Sequence, residues 1–217
     1  MKFNQSYIGL REDMLKHISS SKSIKVLDIG CATGTNGKYL MDRKLANYVG
    51  GIEIDEEMAI IASRYYDKVL TGDLNTDEFL QKCLLQFKDM DVILIGDVLE
   101  HLINPWQVLN KFKSCLNKNG NIIFSVPNVR HIDVFIHVFI KGYWPLNERG
   151  IFDKTHLRWF TLKNILESLK ENDMTTLTID RNFRFRDRKG SKFPIGGRFL
   201  RVCFREFFTF QYIIVCK

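Results

Sequence analysis

"VLDIGCATGTNGKYL", residues 26–40, starts as an apolar strand, turns through a loop with glycines at 30, 34 and 37, and continues into a helix. Such a loop lets backbone approach a ligand closely, because glycine carries no Cβ and tolerates positive φ. What the loop lacks narrows the ligand. A phosphate loop needs G-x-x-x-x-G-K-[ST], but "ATGTNGKY" has Ala32 at the first glycine and Tyr39 where a hydroxyl should hold magnesium. A dinucleotide fingerprint needs G-x-G-x-x-G, and Ala32 breaks that spacing too. The loop opens with a carboxylate, Asp28, which sits badly beside a pyrophosphate and well beside a cation.

Outward from this loop, apolar runs alternate with helical patterns, as expected of a parallel sheet covered on both faces. The runs 24–29, 49–54, 68–70, 91–95 and 121–126 read as five strands, and 175–179 and 210–216 as two more. Between them, 55–66 and 104–117 read as helices, the second with Asn104 as its cap and Pro105 at its first position. Thr161 caps a further helix in which Leu162, Ile165, Leu166 and Leu169 follow i, i+3, i+4, i+7. The pattern predicts a single doubly wound α/β domain over 1–217.

In such sheets ligands bind outside the carboxyl ends of the strands, so the residues there matter most. Strand 2 ends in Glu53, placed to accept from the hydroxyls of a ribose. After strand 3, Asp73 in "GDLNT" can accept from an exocyclic amine, and strand 4 ends in Gly96-Asp97. Together with Asp28 these describe a pocket for a ribosylated adenine that carries positive charge and no phosphate. S-adenosylmethionine has that composition.

The chain resembles the class I S-adenosylmethionine-dependent methyltransferases, and within them a bacterial group associated with small-molecule and polysaccharide modification. The likeness rests on six motifs in order, "VLDIGCATG", "GIEIDEEMAIIA", "GDLN", "DVILIGDVLEHLINP", "SVPNVRH" and "GIFDKTHLRWFT", across roughly 5–175. It implies a Rossmann-like seven-stranded sheet ordered 3-2-1-4-5-7-6 with strand 7 antiparallel. It also implies S-adenosyl-L-methionine as cofactor. Asp28, Gly30, Cys31, Ala32 and Gly34 would then face the methionine part, Glu53 and Ile54 the ribose, and Asp73 and Leu74 the adenine, with Gly96 and Asp97 beneath the sulfonium.

Removing a proton from a hydroxyl or amine acceptor calls for a base, and histidine titrates in the right range. His101 after strand 4, and His131 and His156 in or beside an inserted segment at 127–161, are the candidates. Asn128, Asp153 and Arg158 are candidates to contact the acceptor. The implied reaction is methyl transfer to an O or N atom of a small-molecule or carbohydrate-linked acceptor. A nucleic-acid methyltransferase and a catalytically degenerate partner subunit are the alternatives. Nucleic acid is disfavoured because "DVLEHL" stands where base-amino enzymes carry an Asn/Asp-Pro-Pro-aromatic motif.

Five widely spaced cysteines with no C-x-x-C pair argue for reduced thiols, with no disulfide framework or metal site. The polar start and the lack of any long apolar run lead to the expectation of a soluble cytoplasmic protein. The charge is uneven. Between Arg181 and Arg205, seven arginines and two lysines face one acid, a net +8 that leaves −1 for the rest of a +7 chain. Within 181–208, Phe183, Phe185 and Phe193 alternate with arginines, and Phe199, Leu200, Cys203, Phe204 and Phe207 fall on one helical stripe. This segment is expected to bind an anionic acceptor or to lie peripherally on a membrane surface.

Overall fold

The sheet is built around β1, Lys25–Ile29, whose last four residues are all buried. A strand covered on both faces has no polar side to show, which is why "VLDI" reads as a continuous apolar run. The computed structural model describes residues 8–18, 24–188, 191, 193 and 197–217. Lys189 and Lys192, and the side chains of Arg198 and Leu200, lie outside the described residues.

After a short helix α1 (Glu12–Leu15) and β1, the chain alternates α2 (Thr35–Asp42), β2 (Tyr48–Glu53), α3 (Glu56–Ala62) and β3 (Lys68–Thr71). It continues through α4 (Asp77–Gln86), β4 (Met90–Gly96), α5 (Pro105–Lys113) and β5 (Leu116–Pro127). A helical turn α6 (Ile132–Val134) runs on as a π-helical turn over Phe135–Ile140, followed by α7 (Leu162–Glu171) and β6 (Thr176–Phe183). The chain closes with α8 (Gly197–Cys203), α9 (Arg205–Phe208) and β7 (Thr209–Cys216).

The strands form one sheet in the order β3-β2-β1-β4-β5-β7-β6. β1 to β5 pair in parallel, and β7 runs antiparallel to both β5 and β6. Two apolar layers flank it. One gathers Leu80, Cys83 and Leu84 of α4, Val108, Leu109 and Phe112 of α5, and Ile165 and Leu169 of α7. The other takes Met14 and Leu15 of α1, Leu40 of α2 and Ala62 of α3.

Several local expectations shift. Asn104 makes no side-chain cap bond: its backbone (φ −127°, ψ 71°) departs from the extended geometry that aims a capping side chain, so Pro105 alone marks the start of α5. Thr161 does cap α7, accepting from the Asn164 N–H. β5 begins at Leu116, five residues earlier than the apolar run, because Leu116 pairs with Met90 across a bulge. β6 runs to Phe183, so Arg181 and Phe183 belong to a strand and not to the basic connection. The apolar stripe at 199–207 is not one helix. It breaks at Phe204 (φ −122°, ψ 43°) between α8 and α9.

Candidate functional site

The three glycines of the first loop have different jobs. Gly30 (φ +75°) faces the cleft, and a Cβ there would overlap the Val98 side chain. Gly34 (φ +84°) is the left-handed residue that starts α2, and a Cβ would press on the backbone of Ala62 in α3. Gly37 packs under Tyr66, whose hydroxyl accepts from the Gly37 N–H at 3.0 Å. Gly34 therefore shapes the strand–helix turn and does not line the cleft, a correction to its expected ligand role.

Tyr66 links the loop to the buried carboxylate. Its hydroxyl donates to Asp28 Oδ2 at 2.6 Å, and the Asn36 amide donates to the same oxygen at 3.3 Å. Burial pushes the Asp28 carboxyl up to about 6, with these two hydrogen bonds pulling the other way. Glu53 is buried at the end of β2. Its Oε2 accepts from the Ala32 N–H at 2.7 Å, and its Oε1 from Ile54 and Asp55 at 2.9 and 3.0 Å. A carboxylate offers about four acceptor positions, so about one is left for a ribose hydroxyl where two had been expected.

These groups line one cleft of about 530 Å³ at the carboxyl edge of the sheet. Its walls include Asp28, Gly30, Cys31, Ala32, Glu53, Ile54, Asp73, Leu74, Gly96 and Asp97, ten of the eleven expected cofactor positions. Burial raises the Cys31 thiol far above its usual range, so it serves as wall and not as nucleophile. The residues fit the cofactor. The buried acid at Asp28 suits its cationic part, Glu53 keeps an open acceptor position, and the described residues of the loop form no phosphate cradle.

Arg11 also lines this cleft, and the sequence offered no sign of it. Its guanidinium pairs with Asp97 at 2.9 Å and Asp13 at 3.0 Å, and donates to the Ser125 hydroxyl at 3.0 Å. Gln211 of β7 donates to Asp97 as well. Asp97 (φ +55°) is thus held from three sides at the end of β4. A lone arginine in a polar stretch 86 residues away carries no periodicity by which to find it.

At the acceptor end, His101 lines the cleft and Thr155 of the inserted segment lies beside it. The segment is pinned by Leu157 and Arg158, whose N–H groups both donate to the Glu100 carbonyl at 2.8 and 3.0 Å. The rings of His101 and His156 meet edge to face at 4.8 Å. Burial lowers both imidazoles, His156 to about 4, and the neighbouring His101 charge lowers His156 further. Glu100 is buried with its Oε1 3.9 Å from His156 Nε2, and burial together with the Asp97 charge holds its carboxyl well above the ordinary range. Glu100, His101 and His156 each offer a donor atom within 4.8 Å of the others, the one arrangement among the described residues that could hold a metal ion.

The other candidates fall elsewhere. His131 is fully buried. Its Nδ1 accepts from the Asp133 N–H and its Nε2 donates to the Arg184 carbonyl at 2.9 Å, so both nitrogens are used in packing. Asn128 is likewise buried, donating to the Glu206 and Thr209 carbonyls at 2.8 Å. Arg158 does not pair with Asp153; its Nε donates to the Ile103 carbonyl at 3.0 Å. Asp153 is buried and receives the Thr155 hydroxyl at 2.6 Å. None of these four lines the cleft.

Comparison with known proteins agrees with this geometry. A methyltransferase domain family matches residues 5–179. A ubiquinone biosynthesis O-methyltransferase of Saccharomyces cerevisiae is 27% identical over 164 residues, covering 70% of this chain and 51% of its own length. One from Glaesserella parasuis is 28% identical over 109 residues, 48% of this chain and 45% of its own. The chain spans about half the length of the curated relatives it matches. Among solved structures, a SAM-dependent methyltransferase from Archaeoglobus fulgidus superposes with a TM-score of 0.64 at 19% identity, covering 98% of this chain and 96% of that one. Magnesium protoporphyrin IX methyltransferase from Synechocystis, solved with SAH, gives 0.58 at 16% identity over 89% and 74%. The chain belongs to the methyltransferase domain family, as a class I S-adenosylmethionine-dependent member.

Proposed function

We propose that this domain transfers a methyl group from S-adenosylmethionine to an oxygen atom of a small-molecule acceptor, with His101 as the base. The observation that carries this is His101 on the wall of the same cleft as Asp28, Glu53 and Asp97, its imidazole held below the usual range by burial. Bound there, the cofactor supplies a methyl group on a positively charged sulfur. The chain's own contribution is positional. Asp28 faces the cationic part, Glu53 fixes the ribose, and Asp97, clamped by Arg11 and Gln211, forms the floor. Holding donor and acceptor at contact distance supplies much of the acceleration of such a displacement. An alcohol or phenol must also lose its proton, and a neutral imidazole can take it. An oxygen acceptor, rather than nitrogen, is favoured by the relatives, which are O-methyltransferases by name.

The acceptor itself, small or carbohydrate-linked, carries an anionic group in this reading. Arg184 lies just past β6 with its guanidinium 3.8 Å from the centre of the Phe210 ring, and no carboxylate ion-pairs with it among the described residues. Peripheral contact with an anionic membrane surface through 181–208 is the second reading, favoured by the exposure of Phe199, Val202 and Phe204.

The test combines calorimetric titration with S-adenosylhomocysteine and transfer of labelled methyl groups into cell extracts. Binding, and a labelled small molecule whose formation is lost in His101→Ala, are expected. The loss should be roughly 10²–10⁴-fold in kcat. Stabilisation by NAD or ATP with none from S-adenosylhomocysteine would overturn the reading.

A further inference from the structure

Arg184 follows β6 directly, and its backbone is held on both sides. Its N–H donates to the Phe208 carbonyl at 3.1 Å, and its carbonyl accepts from His131 Nε2 at 2.9 Å. The guanidinium lies over the Phe210 ring, 3.8 Å from its centre. Burial lowers this group from its ordinary range; the Asp187 and Asp97 charges act against that, and the Arg149 and Arg11 charges add to it. A cation withdrawn from water is costly unless a carboxylate meets it. Arg181 and Arg186 follow that rule, pairing with Glu206 and Asp133. Arg184 does not. Among the described residues no carboxylate ion-pairs with it, and its side chain donates no hydrogen bond.

A second arginine is brought to the same place by the inserted segment. Arg149 is half-buried and likewise has no ion pair among the described residues. Asp187 joins the two stretches. Its Oδ2 accepts the Ile151 N–H at 2.9 Å, and Gly150 (φ +77°) packs so closely that a Cβ there would overlap the Asp187 carboxylate. Residues 149–151 are thereby seated against 184–187, near enough for the Arg149 charge to act on both Arg184 and Asp187. The other Asp187 oxygen is buried without a hydrogen-bond partner, so Asp187 meets neither arginine directly. One carboxylate thus stands among two guanidinium groups, and positive charge is left over. That charge lies on the acceptor side. Phe210 precedes Gln211, which donates to Asp97 on the cleft wall, while Arg184 itself stands outside the wall around the cofactor position.

We infer that Arg184 and Arg149 form the receptor for an oxyanion carried by the acceptor, a carboxylate or a phosphate, and that Arg184 decides which acceptors are methylated. This rests on the methyl-transfer reading above and gives the anionic group of that reading its site. A guanidinium stacked on a ring uses its face and keeps its N–H edge for a ligand. That planar fork matches two oxygens of one carboxylate or phosphate. Charge-assisted hydrogen bonds of this kind are about twice as strong as neutral ones. Arg149 adds a second cation from the segment that also places Thr155 on the cleft wall beside His101. An acceptor without the anion would leave both arginines unmatched, so selection is by charge.

The experiment titrates benzoate, phenylphosphonate and benzyl alcohol into the full chain loaded with S-adenosylhomocysteine, whose binding is measured first on the same sample. The three probes share a ring and differ in charge. Benzoate or phenylphosphonate should bind, and benzyl alcohol should not. In ¹⁵N-arginine-labelled protein the Arg184 Nε–Hε resonance, assigned by its absence in Arg184→Lys, should move when the anion is added. Arg184→Gln should weaken anion binding at least about tenfold, and Arg149→Gln less, while both still bind S-adenosylhomocysteine. Arg184→Lys keeps the charge but not the fork and should fall between wild type and Arg184→Gln. Arg188→Gln, at an exposed position on the same stretch, should change nothing. Equal binding of benzyl alcohol, an Arg184 resonance that stays still, or an equal loss in Arg188→Gln would overturn the inference. So would failure of both anions to bind a chain that holds S-adenosylhomocysteine, and the methyl-transfer reading would then stand without it. A chain that does not bind S-adenosylhomocysteine would overturn that reading, and the purpose of the receptor with it.

Discussion

Asp28 is a carboxylate buried among apolar strands, and its ionisation costs the empty protein something. Its carboxyl titrates near 6 where an unfolded one titrates at 3.8. A raised acid favours the fold below the unfolded value, and that advantage is lost as pH rises toward 6, amounting to about 3 kcal/mol. A cationic ligand reverses the balance, because it needs the charged form. Affinity for S-adenosylmethionine should therefore fall as pH drops through about 6, and Asp28→Asn should flatten that dependence; calorimetry between pH 5 and pH 8 measures both. Glu53→Ala should weaken binding of S-adenosylhomocysteine by roughly 1.5–3 kcal/mol. It should also lower the melting temperature, since the Ala32, Ile54 and Asp55 N–H groups lose their acceptor. Glu53→Gln, which keeps one acceptor oxygen, should fall between. Equal melting temperatures for all three proteins would mean that Glu53 does not brace the loop.

The strand–loop–helix unit from β1 to α2 shows what could be read from sequence. Asp28, Glu53 and Asp97 each sit where an apolar run ends, so their positions at one sheet edge follow from topology alone. Gly34 misled, because its purpose lies in packing on α3, and the role of Gly37 beneath Tyr66 is one that no local pattern announces. Arg11 and Thr155 were invisible for the same reason: they reach Asp97 and His101 across long sequence separations. His131 and Asn128 stood at the correct edge but turn into the junction with β7, whose antiparallel return brings Thr209 and Phe210 beside them. Packing of this kind predicts a coupled defect. A Cβ at position 37 would overlap the Tyr66 ring, which holds Asp28. Gly37→Ala should cost about 1–3 kcal/mol in stability through overpacking and weaken cofactor binding as well. Urea unfolding with and without S-adenosylhomocysteine separates the two effects, and a variant as stable as wild type would show that Tyr66 can move aside without loss.

On the scale of the whole molecule, the +8 segment divides into a part that is folded in and a part that is not. Arg186 pairs with Asp133, Arg181 with Glu206, and Phe185, Phe193 and Phe208 pack their rings together. The arginine–phenylalanine alternation is thus partly internal structure. What stays outside mixes arginines with large apolar side chains: Arg188, Arg201 and Arg205 are exposed, Val202 of α8 is 72% exposed, and beyond the segment Phe139, stacked on Phe135 in the π-helical turn, is 74% exposed. Large exposed apolar side chains near arginines are the composition of a surface that enters the membrane interface, where each cation adds about 1 kcal/mol on an anionic leaflet. No helix among the described residues is long and apolar enough to cross a bilayer, so any contact of this kind is peripheral. Co-sedimentation should show binding to anionic vesicles and less to neutral ones. Phe139→Ser with Ile140→Ser should reduce it without moving the melting temperature, because both side chains lie outside the core. Arg188→Ser, at an exposed position, should reduce it by a smaller step. A single-stranded oligonucleotide is the control. Binding to it with a steep salt dependence, and none to vesicles, would assign the exposed arginines to nucleic acid instead. Binding to neither would leave Arg184 and its neighbours to the acceptor alone.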